Sequence, residues 1–212
     1  MIIKRFLIIG FLVSFTACGA HFDSFRIVDP DFHQYTPRVV AVLPMANSSL
    51  KYNAPVKCRE IFFNKLSYKG YNLIPIETID AALEELGVNS GSQIELYTPK
   101  KYGEILGADT LIYGRVREYN TKYLVAYASV TVSLEFQMVD AASGKEIWSA
   151  GDKVFDTNLQ HLKAAQAAAA DKKEEEAGAI ALAETLAYAA FKSYNPYIEK
   201  VVDKILDSLP RR

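Results

Sequence analysis

Cysteine is almost absent: 212 residues hold two, Cys18 and Cys58. A single pair gives no disulfide framework. Histidine is nearly as scarce, with His21, His33 and His161. No two of them stand at i, i+4 spacing and no H-E-x-x-H occurs, so the usual helical zinc site is missing. An excess of one charge is missing too: 24 Lys+Arg stand against 25 Asp+Glu, a net charge of −1. That leaves no electrostatic case for nucleic acid, and the closing Arg211-Arg212 pair is too small to change it. Beyond the N-terminus no apolar run approaches the roughly 20 residues of a membrane-spanning helix. Ser48-Ser49 lack the G-x-S-x-G elbow of a nucleophilic serine. Gly103, Gly107 and Gly114 do not have phosphate-loop spacing. Glu84-Glu85 lie side by side on a predicted helix and read as solvated. The expectation is a protein with no catalytic residue, no metal and no small-molecule cofactor, not an enzyme.

What is present begins at the N-terminus. Lys4 and Arg5 precede an apolar stretch, Phe6 to Ala17, that is too short to cross a bilayer. The pattern is that of a secretory signal peptide. The residues Phe15-Thr16-Ala17-Cys18 resemble a bacterial lipobox, in which cysteine follows two small residues, although Phe15 stands where an aliphatic residue is usual. The resemblance implies cleavage before Cys18 and lipid attachment to it, with palmitate-type acyl chains on the new N-terminus. A plain export signal cleaved nearby is the alternative. Gly19 replaces the aspartate that resembles an inner-membrane retention signal, which favours the periplasmic face of the outer membrane. Each buried methylene contributes about 0.8 kcal/mol, so several chains anchor the protein without a transmembrane helix. About 195 residues remain after cleavage, enough for one domain with a core.

The expected divisions are a signal peptide over 1–17, a lipidated tether over 18–37, an α/β domain over 38–157, and C-terminal helices over 158–212 that complete the same domain. The tether's aromatics (Phe22, Phe25, Phe32, Tyr35) are numerous for a free linker, so part of it is expected to pack on the domain. RVVAVLP from Arg38 is a buried strand. Asn53 and Pro55 open a helix to about Lys69 with Val56, Ile61, Phe62 and Leu66 inward. Tyr71–Ile76 is a strand, and Thr78 and Thr98-Pro99 open two further helices. Ala108–Tyr119 and Lys122–Asp140 are strands. In the longer one Val130, Val132, Leu134, Phe136 and Met138 share one parity, and Ser129, Thr131, Ser133, Glu135 and Gln137 face largely toward water. A turn at Asp140–Lys145 leads to the return strand. An Ala-rich stretch with a charged centre follows. Asn195-Pro196 then open a helix with Ile198, Val201, Val202, Ile205, Leu206 and Leu209 inward. The fold class is α/β (α+β): a mixed sheet of about five strands, order β-α-β-α-α-β-β-β and then C-terminal helices, with the helices on one face.

Tyr119, Tyr123 and Tyr127 fall on the Ser/Thr parity, preceded by Arg115 and Arg117. Tyr and Arg are favoured interface residues, so these five form the candidate interface. The alternative is that C-terminal helices cover this face and the tyrosines belong to the core. Cys58 reads as a buried structural thiol.

Three segments carry a family resemblance: RVVAVLPMANSS, LGADTLIYGRVREY and VSLEFQMVDAASGKEIWSA. They resemble the first strand and loop, the helix-to-strand "GAD" segment and the Trp-bearing return hairpin of CsgG-like and TolB-N-terminal-like envelope proteins. With the lipobox they are most similar to lipoproteins of the neisserial GNA type, a group that also resembles the peptidoglycan-synthase activator LpoB. The resemblance covers roughly Arg38 to Ala150. It implies a periplasmic α/β lipoprotein that binds other envelope proteins or assembles with itself. The expected function is a membrane-anchored, non-enzymatic protein-binding module. A subunit of a CsgG-like secretion channel is the alternative, and an envelope hydrolase is the reading with least behind it.

Overall fold

In the computed structural model, residues 24–124, 127–157 and 194–211 are described. They build one mixed sheet of seven strands rather than about five. The elements are β1 (Phe25–Val28), α1 (Phe32–Tyr35), β2 (Val39–Val42), β3 (Ala46–Asn47), α2 (Ala54–Ser67), β4 (Asn72–Leu73) and α3 (Ile76–Glu85). A 3-10 turn (Gly91–Leu96), α4 (Pro99–Leu106), β5 (Thr110–Leu124), β6 (Tyr127–Asp140), β7 (Glu146–Thr157) and α5 (Asn195–Leu206) follow. The strand order is β1-β7-β6-β5-β2-β4, with β3 joined to β5 beyond the end of β2. The added strands are β3 and β1. The latter lies inside the stretch read as tether and pairs antiparallel with β7, from Phe25 opposite Gly151 to Val28 opposite Trp148.

Helices cover both faces, which corrects the one-face expectation. β2 is parallel to both β4 and β5. The chain crosses from β2 to β4 through α2, then returns past β2 to β5 through α3 and α4. Right-handed crossovers made in opposite directions place their helices on opposite faces. Strand alternation then divides the core. Val40, Val42 and Ile112 pack with α2 and α5, whereas Ala41, Leu43 and Leu111 pack with residues of α3 and α4.

The larger core is built around Phe62 of α2 and Phe136 of β6, stacked at 3.7 Å and 12°. Every apolar residue expected to face inward on α5 is buried. The helix is held at its C-terminal end by Trp148, whose Nε1 donates to Ser208 Oγ at 3.1 Å. On α2 the buried stripe is Ala54, Cys58, Phe62 and Leu66, and Val56 points outward. Val56 stands two residues from both Ala54 and Cys58, nearly half a helical turn away, so it cannot share their face.

The long hairpin also departs from its expected register. Lys122–Leu124 belong to β5, and the pairing closes on Leu124 opposite Tyr127. A bulge between Val116 and Glu118 makes Arg117 an extra residue in β5. Ser129, Thr131 and Ser133 are buried, although their parity suggested water. Part of the cause is visible at Ser133, which pairs with Glu118 on one side and Lys153 on the other. The Lys153 ammonium reaches Glu118 at 2.8 Å, so an ion pair joining the flanking strands spans the serine between them.

Candidate functional site

The motifs that marked the sequence do structural work. Gly107 takes the left-handed conformation that ends α4, with φ 64°. The next turn of chain brings Asp109 to the start of β2, where its carboxylate accepts from the Arg38 and Val39 backbone N–H groups at 3.0–3.2 Å. In the return turn, Asp140 Oδ2 accepts from Ser143 N at 2.8 Å and Ser143 Oγ at 2.5 Å, and Gly144 supplies φ 72°.

In sheets of this kind a ligand crevice opens where successive crossovers diverge, at the carboxyl ends of the strands. Here that point lies beyond β2, and Arg59 fills it. The guanidinium is buried and donates to the Val42 carbonyl oxygen from Nε at 3.0 Å and Nη2 at 2.8 Å. Its Nη1 pairs with Asp80 Oδ1 at 2.6 Å, joining α2 to α3. Nearby, an ideal Cβ on Gly91 would stand 2.1 Å from the Met45 carbonyl carbon, so two backbones are in contact where a cavity would otherwise be. Two shallow clefts remain. One of about 330 Å³ is lined by Phe32, His33, Thr36, Pro37, Arg38, Tyr71 and Arg211. The other, of about 390 Å³, lies between Glu60, Phe63, Asn64, Pro75, Ile76 and Glu77. Among the described residues no cluster of His, Cys, Asp or Glu could hold a metal, and no helix is long and apolar enough to cross a membrane.

The point where the N-terminal segment joins the domain is strongly built. Asp152 lies in β7 between Ala150 and Val154, on the core parity, and is 4% exposed. It pairs with Arg26 of β1 and with Lys204 of α5, the latter at 3.4 Å. Burial pushes the Asp152 carboxyl up, but the Arg26 hydrogen bond, the Lys153 backbone N–H and the Lys204 charge together leave it below the ordinary carboxylate value. Arg26 Nη1 also donates to the Gly151 carbonyl at 2.7 Å. One residue past β1, Asp29 pairs with Lys145 at 2.7 Å. That hydrogen bond lowers the carboxyl of Asp29 and raises the ammonium of Lys145, to which Tyr35 adds.

The five candidate interface residues do not form one surface. Tyr119 is buried, stacked on Tyr194 at 4.0 Å and 20°. Burial, then the neighbouring Cys58 and Tyr194, push its hydroxyl well above the usual tyrosine range. The bulge at Arg117 explains this: the extra residue reverses the parity of β5, so Tyr119 follows Val116 onto the core face. Arg117 is half-exposed and pairs with Glu135 at 2.7 Å. Arg115 is half-buried, directly opposite Glu135. Tyr123 and Tyr127 are placed by backbone register, opposite Ala128 and Leu124, and their side chains lie outside the described part. Cys18, His21, His161 and the charged Ala-rich stretch also lie outside the described residues. Cys58 is fully buried, and desolvation pushes its thiol up to about 12, as suits a structural cysteine. Sequence reasoning passed over Arg59 and Asp152. The only signal either gave is a charged residue inside an otherwise apolar phase.

A family model described as "Putative lipoprotein GNA1162-like" matches residues 29–205. A protein of Neisseria meningitidis serogroup B, "Putative lipoprotein NMB1124/NMB1162", is 30% identical over 118 residues, covering 56% of this chain and 55% of the relative. The chain thus spans about half the length of that relative. The crystal structure of lipoprotein GNA1162 from the same species superposes with a TM-score of 0.54 at 24% identity, over 73% of this chain and 99% of that one. A PelC dodecamer from Paraburkholderia phytofirmans gives 0.53 at 15% identity, over 90% and 99%. These two structures share the fold.

Proposed function

Because the chain belongs to the GNA1162-like lipoprotein family, we propose that it is anchored through acylated Cys18 to the periplasmic face of the outer membrane. There it acts as a non-enzymatic module that binds envelope proteins and assembles with further copies of itself. The observation that carries this reading is the clamp on β1. The segment that follows the anchor does not trail away as a linker but becomes a sheet strand, tied to β7 and α5 through Asp152 and to the return turn through Lys145. A lipid at Cys18 would therefore hold the sheet itself, which suits a protein whose task is to stand at a fixed place and present surfaces. The Arg59 plug beyond β2 favours binding over turnover, since it occupies the usual ligand crevice of such sheets. Self-association draws support from the fold shared with PelC, which is described as a dodecamer. The channel alternative draws less. Lipid-facing strands need an apolar outer face, and here the face opposite the large core carries the Arg117–Glu135 and Lys153–Glu118 pairs.

The test is fractionation and crosslinking of envelopes from cells that make the wild-type chain or Cys18→Ala. The wild type should sediment with outer membranes and crosslink into species larger than a monomer. Cys18→Ala should move to the soluble periplasmic fraction or stay as an uncleaved precursor. A membrane-bound but strictly solitary wild type would overturn the assembly reading. A processed Cys18→Ala chain that stays on the outer membrane would overturn the anchor.

A further inference from the structure

The register places Phe25, Gly151, Glu135, Arg115 and Ala46 in one row across the sheet. At this height β1 is the outer strand on one side and β3 on the other. Four strand spacings of roughly 4.8 Å separate them, about 19 Å. Both ends of the row carry exposed apolar side chains.

On the β3 side the chain leaves the sheet and presents Leu50 and Tyr52, 102% and 95% exposed, with Val56 beside them at the start of α2. The loop is not slack. Asn47 Oδ1 accepts from Ser49 N at 2.9 Å and Ser49 Oγ at 2.7 Å, Asn47 Nδ2 donates to Lys51 O at 3.0 Å, and Ser48 N donates to Val116 O at 2.8 Å. Side-chain hydrogen bonds thus hold two large apolar groups out in water, which lowers the ordering cost of a contact made there. Lys51 and Lys57 flank them, exposed and without an acidic partner among the described residues.

On the β1 side Ile27 is 56% exposed and Phe155 51%. Ladder alternation puts both on the same face. The basic side chains there already have acids, Arg26 with Asp152 and Lys153 with Glu118. Asp156 adds a carboxylate next to Phe155. Phe155 stands opposite Thr131, which stands opposite Asn120. It is therefore within about 10 Å in height of the row at Val116 from which the loop departs.

We infer that the pinned Leu50–Tyr52 loop of one molecule docks against the Ile27–Phe155 edge of a second copy. A foreign partner would need one such patch. Two different patches, of opposite flanking charge, at similar height on opposite edges are what a heterologous contact between identical chains requires. Such contacts run head to tail and close into a ring where the rotation allows. The inference rests on the self-assembly reading above and assigns it a surface.

The test uses the full-length acylated protein in mild detergent, with Tyr52→Cys and Phe155→Cys made separately. Cys58 is buried and Cys18 is acylated, so background coupling is low. A short bismaleimide should link the two variants when they are mixed and leave each alone largely unlinked. The double variant Tyr52→Cys/Phe155→Cys should give a ladder beyond the dimer. Leu50→Ser/Tyr52→Ser should lower the particle mass toward that of the monomer with its circular dichroism unchanged. Assembled particles that give no 52–155 product, or a Tyr52→Cys self-link as strong as the mixed one, overturn this surface and leave self-assembly standing. A wild type that is monomeric by mass overturns both. A label at position 52 quenched by nitroxide lipids in phosphatidylethanolamine–phosphatidylglycerol vesicles would assign the loop to lipid and also overturn the inference.

Discussion

Removing the Asp152 carboxylate tests how the N-terminal strand is fixed to the domain. Asp152→Asn keeps the volume but removes the charge opposite Arg26 and Lys204. Breaking a fully buried pair costs about 3–5 kcal/mol because a charge is left stranded. Here the stranded partners are not buried: the side chains of Arg26 and Lys204 are 30% and 45% exposed, against 6% for Asp152. Water can take up much of their charge, so the expected loss is smaller, about 1–2 kcal/mol. For a chain of this size that lowers the melting temperature by about 2–8 °C. The loss should be local as well. Amide exchange in Phe25–Val28 should speed up more than exchange in β6. A double-mutant cycle with Arg26→Met should return a coupling of about 1 kcal/mol. The sign of the acid dependence follows from the lowered folded-state value. The carboxylate stabilises the fold fully above the unfolded-state pKa of about 3.9 and ceases to do so as pH falls through the lower folded value. Asp152→Asn should therefore differ most from wild type at neutral pH and least in strong acid. An unchanged melting temperature together with unchanged exchange in β1 would refute the clamp.

Other consequences are quickly checked. Gly91→Ala places a methyl group against the Met45 backbone, so the variant should lose at least 1–3 kcal/mol in urea unfolding or fail to accumulate. Phe62→Ala removes one ring of the buried Phe62–Phe136 stack and should cost about 3–5 kcal/mol by the same measurement. Thr36 is held at φ 41°, a strained place for a β-branched residue, and Thr36→Gly should leave stability unchanged or raise it by up to about 1 kcal/mol. Cys58 should resist Ellman's reagent at pH 8 in the folded chain and react at once in guanidinium, because its thiol is both enclosed and held up to about 12.

Helices and strands with a strong period were legible in the sequence. The α5 stripe, the Thr98-Pro99 start of α4 and the alternation from Val130 to Met138 emerge as read. What escaped depended on a single inserted residue or on tertiary direction. The bulge at Arg117 moves Tyr119 from the expected open face to the core, and no composition signal marks it. The start of β6 was misplaced because Val125-Ala126, between the last paired residues, carry none of the Gly, Asn or Asp that usually announce a hairpin turn. β1 is four residues long and lies before an Asp-Pro pair, too short to show a period. The division of helices between two faces follows from the order β5-β2-β4, which no local pattern encodes. Arg59 and Asp152 look like surface charges until the fold closes round them.

The central claim is a globular domain held to the membrane by grease on one thiol, and the N-terminal peptide of the mature protein tests it most directly. Mass spectrometry of that peptide from native membranes should find a chain that begins at Cys18 and carries acyl-glyceryl mass. An unmodified Cys18, or a mature chain that starts at another residue, would contradict the account.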